Sequence, residues 1–379
     1  VSSATWCWGA LMRYISETDL DDIALGAAIL GTGGGGDPRL GLIMARAALR
    51  KNGPVPLLDL DEIEEPALVV PVAMIGAPTV ANEKLPSVDH LGAMLDAVAA
   101  RLGAAATHTM PVEIGGVAAL LPIVAAATQG IPLVDADMMG RAFPELQMVI
   151  PSILGRSAGP VCLADEWGSL VIVEGLDNSH AERLARAVCV AMGSNALIAL
   201  YATSGADARE VTVPGTITRA QRLGAGVRAA RSRHEDPVQA IVDLMDGARL
   251  FEGKVVDVAR RTEGGFTHLE TEVVGTGVEE GQTLRIVSQN EHLVARCGSE
   301  VLATTPDLIV VLQADTAEPV TTEGLRFGMR VQVIAAPCDV RYRTPAGLGT
   351  VGPAAFGHDV EYVPVEELAD RRRGAGRTT

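Results

Sequence analysis

Strand-like apolar runs that alternate with helical periodicity predict an α/β fold in two parts of different character. Up to Asp135 the two periods take turns, the pattern of a mostly parallel sheet with helices packed on it. From Leu250 to Val363 strand-like runs follow one another at short intervals with turn residues between them, as in a small barrel or sandwich. The 379 residues fit more than one domain at roughly 150 residues each. The character changes near Trp167. The division therefore falls between an N-terminal α/β domain over 12–168 and a C-terminal, largely β domain with helical segments over 169–366.

Leu20, Ile23, Ala27 and Leu30 keep helical spacing, and Gly31 supplies the stop. After the glycines, Asp37-Pro38 is an N-cap followed by proline at the first helical position, opening a helix to about Arg50. Strands are expected over 55–60 and 68–75, then a helix over 88–101 with Leu91, Leu95 and Val98 on one face. A strand over 107–114, a helix over 117–127 and a strand over 131–135 complete the alternation. Beyond Trp167 come a strand over 170–174, a helix over 181–192, a basic amphipathic stretch over 219–233 and a helix over 237–245. Strands starting near Gly253, Leu284, Leu308 and Met329 then dominate.

Apolar residues make up 48% and charged residues 21%, so the chain can bury a large core. Aromatics are only 3%, which leaves few rings to stack on bases. Lys plus Arg number 31 against 47 Asp plus Glu, a net charge of −16 that repels nucleic acid and anionic membrane surfaces. No apolar run approaches the roughly 20 residues of a membrane-spanning helix. Five scattered cysteines without a C-x-x-C pair fit a reducing, cytoplasmic setting. Cys162 and Cys189 sit in apolar runs, whereas Cys338 lies in a Pro-Cys-Asp turn and is the candidate reactive thiol. Residues 1–11 read as a mobile extension ahead of Met12. Residues 367–379, with Arg371, Arg372, Arg373 and Arg377, read as a disordered tail.

Gly31-Thr-Gly33-Gly34-Gly35-Gly36 fits G-x-G-x-x-G, with Asp59 following at a strand end. A dinucleotide fingerprint needs a strand leading into the loop. Here the preceding residues 24–30 are rich in Ala and favour a helix, and Asp37 places a negative group at the next helix start. A connection that allows close backbone approach, or a substrate-binding loop through Gly33, Gly34 and Gly35, stands beside nucleotide binding.

Ligands of a parallel α/β sheet sit beyond the carboxyl ends of its strands. Three polar loops take that position: 76–84 with Glu83 and Lys84, 113–116 with Glu113, Gly115 and Gly116, and 135–145 with Asp135, Asp137, Arg141 and Glu145. Glu113 or Asp137 would serve as general base, or with Asp135 would hold a divalent metal. Lys84 and Arg141 would fix an anionic substrate group, and the Gly115-Gly116 amides would face a developing oxyanion. His108 and Glu113, five apart on one strand, point to opposite faces and do not form a ligand pair. H-E-x-x-H and G-x-S-x-G motifs are absent.

Several ordered blocks together resemble a known family. They are the stretch from Asp22 to Pro38 around the glycines, Gly76-Ala-Pro-Thr79 with Glu83-Lys84-Leu-Pro86, and Pro111-Val-Glu113-Ile-Gly-Gly116. They continue with Asp135-Ala-Asp137-Met-Met-Gly-Arg141-Ala-Phe-Pro144-Glu145, Ser288-Gln-Asn290-Glu291 and Pro306-Asp307-Leu-Ile. Over roughly residues 15–365 the chain is similar to the S-methyl thiohydantoin desulfurase family, associated with hydantoinase/oxoprolinase-type genes. The resemblance implies a three-layer, Rossmann-like N-terminal domain and a C-terminal domain with a barrel-like part. It also implies hydrolysis of a small cyclic S-methyl isothiourea, giving a hydantoin and methanethiol. Asn290 and Glu291 would then close the site from the second domain, with Glu83 and Glu145 beside the substrate. Two other readings stay open: a non-catalytic partner subunit of a hydantoinase/oxoprolinase-type enzyme, and a dinucleotide-dependent oxidoreductase. The partners expected are a small-molecule substrate, with no nucleic acid or membrane, and a second copy or a hydantoinase-type protein.

Overall fold

The first strands are β1 (Arg13–Ile15), β2 (Val55–Leu58), β3 (Leu68–Gly76), β4 (His108–Pro111), β5 (Leu133–Val134) and β6 (Ala136–Asp137). Then come β7 (Val161–Ala164), β8 (Leu170–Val173), β9 (Asn195–Ala199), β10 (Thr203–Ser204) and β11 (Val213–Pro214). They belong to a computed structural model that describes residues 13–77, 80, 83, 84, 87–175 and 177–375. The expected extension over 1–11 and residues 376–379 of the expected tail lie outside the described residues.

One large sheet has the order β1-β2-β5-β4-β3-β9-β7-β8, with β10 also paired to β3. β2, β5, β4 and β3 run parallel, with the helices Leu91–Leu102 and Leu121–Gln129 in the connections. The rest is antiparallel, so the expected mostly parallel sheet is parallel only over these four strands. The cause is local. β7 and β8 are joined by a tight turn in which Asp165 Oδ1 accepts the amides of Trp167 (3.0 Å) and Ser169 (2.8 Å), and such a turn can only link antiparallel neighbours. Because β8, β9 and β10 lie beyond residue 168, the first sheet also runs past the division expected there.

The helix Leu20–Leu30 packs against the helix Thr216–Ser232. A β-carbon on Gly26 would strike the Ala220 backbone and one on Gly224 the Asp22 backbone, so glycine at both crossings lets the two axes approach closely. The basic stretch expected over 219–233 lies in this second helix. Its Arg228 pairs with Asp22 (2.5 Å) and its Arg231 with Glu318 (3.0 Å).

The second sheet contains β12 (Ala248–Glu263), β13 (Phe266–Gly275), β14 (Thr283–Gln289), β15 (Glu291–Cys297), β16 (Glu300–Thr304), β17 (Leu308–Gln313) and β18 (Arg330–Ala336). Its order, β16-β15-β14-β13-β12-β18-β17, is antiparallel throughout and forms a half-barrel. Alternation along β17 divides its side chains between two cores. Leu308, Val310 and Leu312 join the core of the first sheet, whereas Ile309 and Val311 join the core of the half-barrel. That two-sided burial explains the unbroken apolar run Leu-Ile-Val-Val-Leu. The tail expected to be disordered from residue 367 is instead helical over Val365–Ala375, tied at its start by Val365 N to Asp307 Oδ2 (2.8 Å) and further on by Arg372 to Leu250 O (2.6 Å). No helix among the described residues is long and apolar enough to cross a membrane.

Candidate active site

Beyond the carboxyl ends of β3 and β4 lies a cavity of about 90 Å³, large enough for a small ring. Its wall combines β3 and β9, the glycine loop, the loop 139–146, the helix Asn178–Ala191 and the turn between β14 and β15. Glu113, Glu145, Glu182, Arg186, Asn290 and Glu291 are its main polar groups.

Glu113 follows β4 by two residues and is buried. Glu291 arrives from the half-barrel. Asn290 adopts a left-handed conformation (φ 56°) in the tight turn from β14 to β15, and its Oδ1 accepts Thr267 N at 2.8 Å. Backbone bonds hold the glycine loop beside this turn, His292 N to Thr32 O and Thr322 N to Gly33 O, each 2.9 Å, and the Thr322 hydroxyl donates to Asn290 O (2.7 Å).

The run of glycines is explained by its neighbours. A β-carbon on Gly33 would lie 2.7 Å from His292 Nε2, one on Gly34 would overlap the Glu291 carboxylate, and one on Gly35 (φ +76°) would overlap the Gly115 backbone. The loop is thus filled by protein, and the helix Leu20–Leu30 rather than a strand leads into it. The Asp37 carboxylate already accepts Arg39 N (2.9 Å) at the start of the following helix. These features remove the support for a pyrophosphate cradle.

Two carboxyl groups dominate the electrostatics. Burial pushes Glu113 well above the usual carboxylate range, and the neighbouring Glu291 adds to the effect. Burial pushes Glu291 up to about 8, against the pull of the Arg141 charge, and its Oε2 has no hydrogen-bond partner. Two like charges in one buried site do not both ionise readily, so at neutral pH the pair retains at least one proton. Glu145, half-buried and bonded by Gln147, is also raised by burial.

Several residues expected at the site are occupied elsewhere. Asp137 is buried but does not line the cavity; its oxygens accept the amides of Met139 (3.2 Å) and Gly140 (2.9 Å) and so fix the loop. Arg141 is fully buried behind the wall, donating to Ala142 O (3.0 Å), Pro306 O (2.6 Å), Asp307 O (2.9 Å) and Thr32 Oγ1 (2.9 Å). Lys84 turns to Met192 O (2.5 Å) and Glu166 (2.6 Å), and Glu83 is exposed. Gly115 and Gly116 pack on Gly35 and Gly36 instead of facing the cavity, and of the glycine-loop candidates only Gly35 lines it.

Asp135 accepts Ile217 N (3.0 Å) and Thr218 N (3.1 Å) at the start of the helix Thr216–Ser232. The proposed metal set Asp135, Asp137 and Glu113 therefore does not converge. Among the described residues no group of three or more His, Cys, Asp and Glu is placed to hold a metal. Cys338 is buried, which pushes its thiol up to about 12 and makes it a poor nucleophile.

Two family models match the sequence: S-Me-THD-like, N-terminal domain, over residues 18–175, and S-Me-THD-like, C-terminal domain, over residues 176–365. The chain belongs to the S-Me-THD-like family, that of S-methyl thiohydantoin desulfurase. It is also similar to the crystal structure of a protein from Chromobacterium violaceum, with 25% identity and a TM-score of 0.77 over 93% of this chain and 100% of that one. The comparison with curated proteins gave no match.

In this S-Me-THD-like chain both family domains build the cavity. Glu113 and Glu145 come from the first; Glu182, Arg186, Asn290 and Glu291 come from the second. Sequence reasoning missed Glu182 and Arg186. They stand one turn apart on the helix Asn178–Ala191, beside the buried stripe Ala181, Ala185 and Cys189. An i, i+4 ion pair flanking a stripe of small residues was the available signal. His292 is buried, with Nδ1 bonded to Ser288 Oγ (2.9 Å) and Nε2 against Gly33, although in the sequence nothing sets it apart from the other dispersed histidines.

Proposed function

We propose that this cavity hydrolyses a small five-membered cyclic S-methyl isothiourea of the S-methyl thiohydantoin type, giving the hydantoin and methanethiol. The observation that carries this reading is the pair of buried carboxyl groups, Glu113 and Glu291, brought to one small cavity from two domains. A pair that keeps one proton holds a general base and a general acid together, the requirement for adding water across a C=N bond. The ionised member takes a proton from water as its oxygen bonds to the carbon between the ring nitrogens. The neutral member gives its proton to the ring nitrogen, which receives the C=N electrons. In the collapse the first carboxyl returns its proton to the departing sulfur as the C–S bond breaks. The second recovers a proton from the adduct hydroxyl as C=O forms. Both carboxyls end in their starting states, and one water has been consumed.

Methanethiol release from an S-methyl thiohydantoin, followed with a thiol reagent, tests this. Glu113→Gln and Glu291→Gln should each lose about 10²–10⁴-fold in kcat, the range for a general acid or base. Release that persists unchanged in both variants rejects the mechanism. Release only in the presence of a copurifying hydantoinase-type protein assigns the chain to a subunit role instead.

A further inference from the structure

We infer that a second cavity, apart from the one that holds Glu113 and Glu291, binds a free α-amino acid with a hydrocarbon side chain. This cavity measures about 570 Å³. The helix Leu20–Leu30, the first turns of the helix Pro38–Asn52 and the segment between β17 and β18 form its wall. The glycine loop serves both cavities. Gly35 and Gly36 line the first, and Asp37, Pro38 and Arg39, the residues that follow, line the second.

The charges on this wall are only partly matched within the protein. Asp21 pairs with Arg46 (2.9 Å) and Glu318 with Arg231 (3.0 Å). Among the described lining residues that leaves Asp37 and Glu323 on one side and Arg39 and Arg326 on the other. Glu323 is 8% exposed, yet its Oε1 has no hydrogen-bond partner, while its Oε2 lies 3.2 Å from the Thr322 hydroxyl. Burial pushes this carboxyl above its ordinary range, and the Asp37 charge adds to the effect. An ammonium group supplies donors to the orphaned oxygen and a positive charge beside both acids.

The side chain of Arg39 is exposed and enters no hydrogen bond or ion pair among the described residues. Arg326 commits Nη1 to the carbonyls of Glu323 (2.5 Å) and Leu325 (3.0 Å). A carboxylate answers these guanidinium groups. The two surpluses are opposite in sign and balanced, so they fit a zwitterion better than an ion of either sign. Leu25, Leu42, Val320 and Met329 line much of the remainder, which favours a hydrocarbon side chain. The occupant reaches the active site at one remove. Thr322, next to Glu323, donates its N to Gly33 O (2.9 Å) and its hydroxyl to Asn290 O (2.7 Å).

Calorimetric titration of the full-length protein with L-leucine, 3-methylbutylamine and 4-methylpentanoate tests this. The second compound lacks the carboxylate of leucine and the third lacks its ammonium group. L-Leucine should bind at least about tenfold more tightly than either. Absence of binding at about 10 mM L-leucine, or equal or tighter binding of either half, overturns the inference. Glu323→Gln removes the charge that meets the ammonium group and should weaken leucine by about tenfold or more. Arg39→Gln, at an exposed position where folding is not at stake, should weaken leucine several-fold and leave 3-methylbutylamine unchanged. Leucine affinity unchanged in both variants places the amino acid elsewhere and also overturns the inference. No readout depends on turnover, so failure of the proposed hydrolysis leaves this test intact.

Discussion

The carboxylate of Glu291 fills the place where Gly34 would carry a β-carbon. A residue of the half-barrel is thus positioned by the absence of a side chain in the first domain. Gly34→Ala should push the flexible carboxylate aside at a cost of about 1–3 kcal/mol in stability while removing most of the activity. Gly35→Ala should act differently. Its new carbon would meet the rigid Gly115 backbone in a left-handed conformation, and the loss should reach about 3 kcal/mol or more. Urea unfolding alongside kcat measurements separates the two.

The pair should give a bell-shaped pH profile of kcat/KM, its two limbs set by the pair's successive proton losses and displaced above the usual carboxylate range by burial. Stability carries the same signature. The folded state holds the Glu291 proton up to about 8, whereas an unfolded glutamate loses it near its ordinary 4.5. Folding is therefore penalised progressively as pH rises between those values, by up to about 1.4 kcal/mol per unit for this one group, with no contribution below the lower value. Glu291→Gln should flatten that dependence and gain stability at pH 8 relative to the parent while losing activity; thermal melts at several pH values read it.

Asp137→Asn should be a stability variant. Its carboxylate fixes Met139 and Gly140, so weakening those bonds should cost about 1–3 kcal/mol. The folded fraction should keep kcat within a few-fold. A loss comparable to that of Glu113→Gln would restore Asp137 to the chemistry.

Arg141→Lys should behave as a severe change even though the charge is kept. The guanidinium serves four acceptors at once, two of them carbonyls of the Pro306-Asp307 segment from the second domain. An ammonium cannot reach them all, and about 3 kcal/mol or more should be lost in denaturant unfolding.

Much of the first domain was legible because its signals are local. The helix before the glycines, the Asp37-Pro38 cap and the strand ahead of Glu113 each follow from a few adjacent residues. The placement of Glu113 at a sheet edge followed from the βαβ pattern. What the pattern could not reveal is which polar residues are used up by the backbone. Asp137, Arg141 and Asp135 look like chemistry in one dimension, yet each satisfies amides or carbonyls that only the folded loops bring near. The antiparallel part of the large sheet escaped for a related reason, since the turn at Asp165 is too short to stand out among other loop residues. Glu291 was reached through family resemblance, because no local feature announces that a turn 178 residues beyond Glu113 docks on a glycine loop.

The alternating faces of β17 have a thermodynamic consequence. Val310 faces one core and Val311 the other, so adjacent residues of a single strand lock different halves of the molecule. Neither half can melt without wetting a strand that the other needs dry, so calorimetry should record a single cooperative transition in place of two.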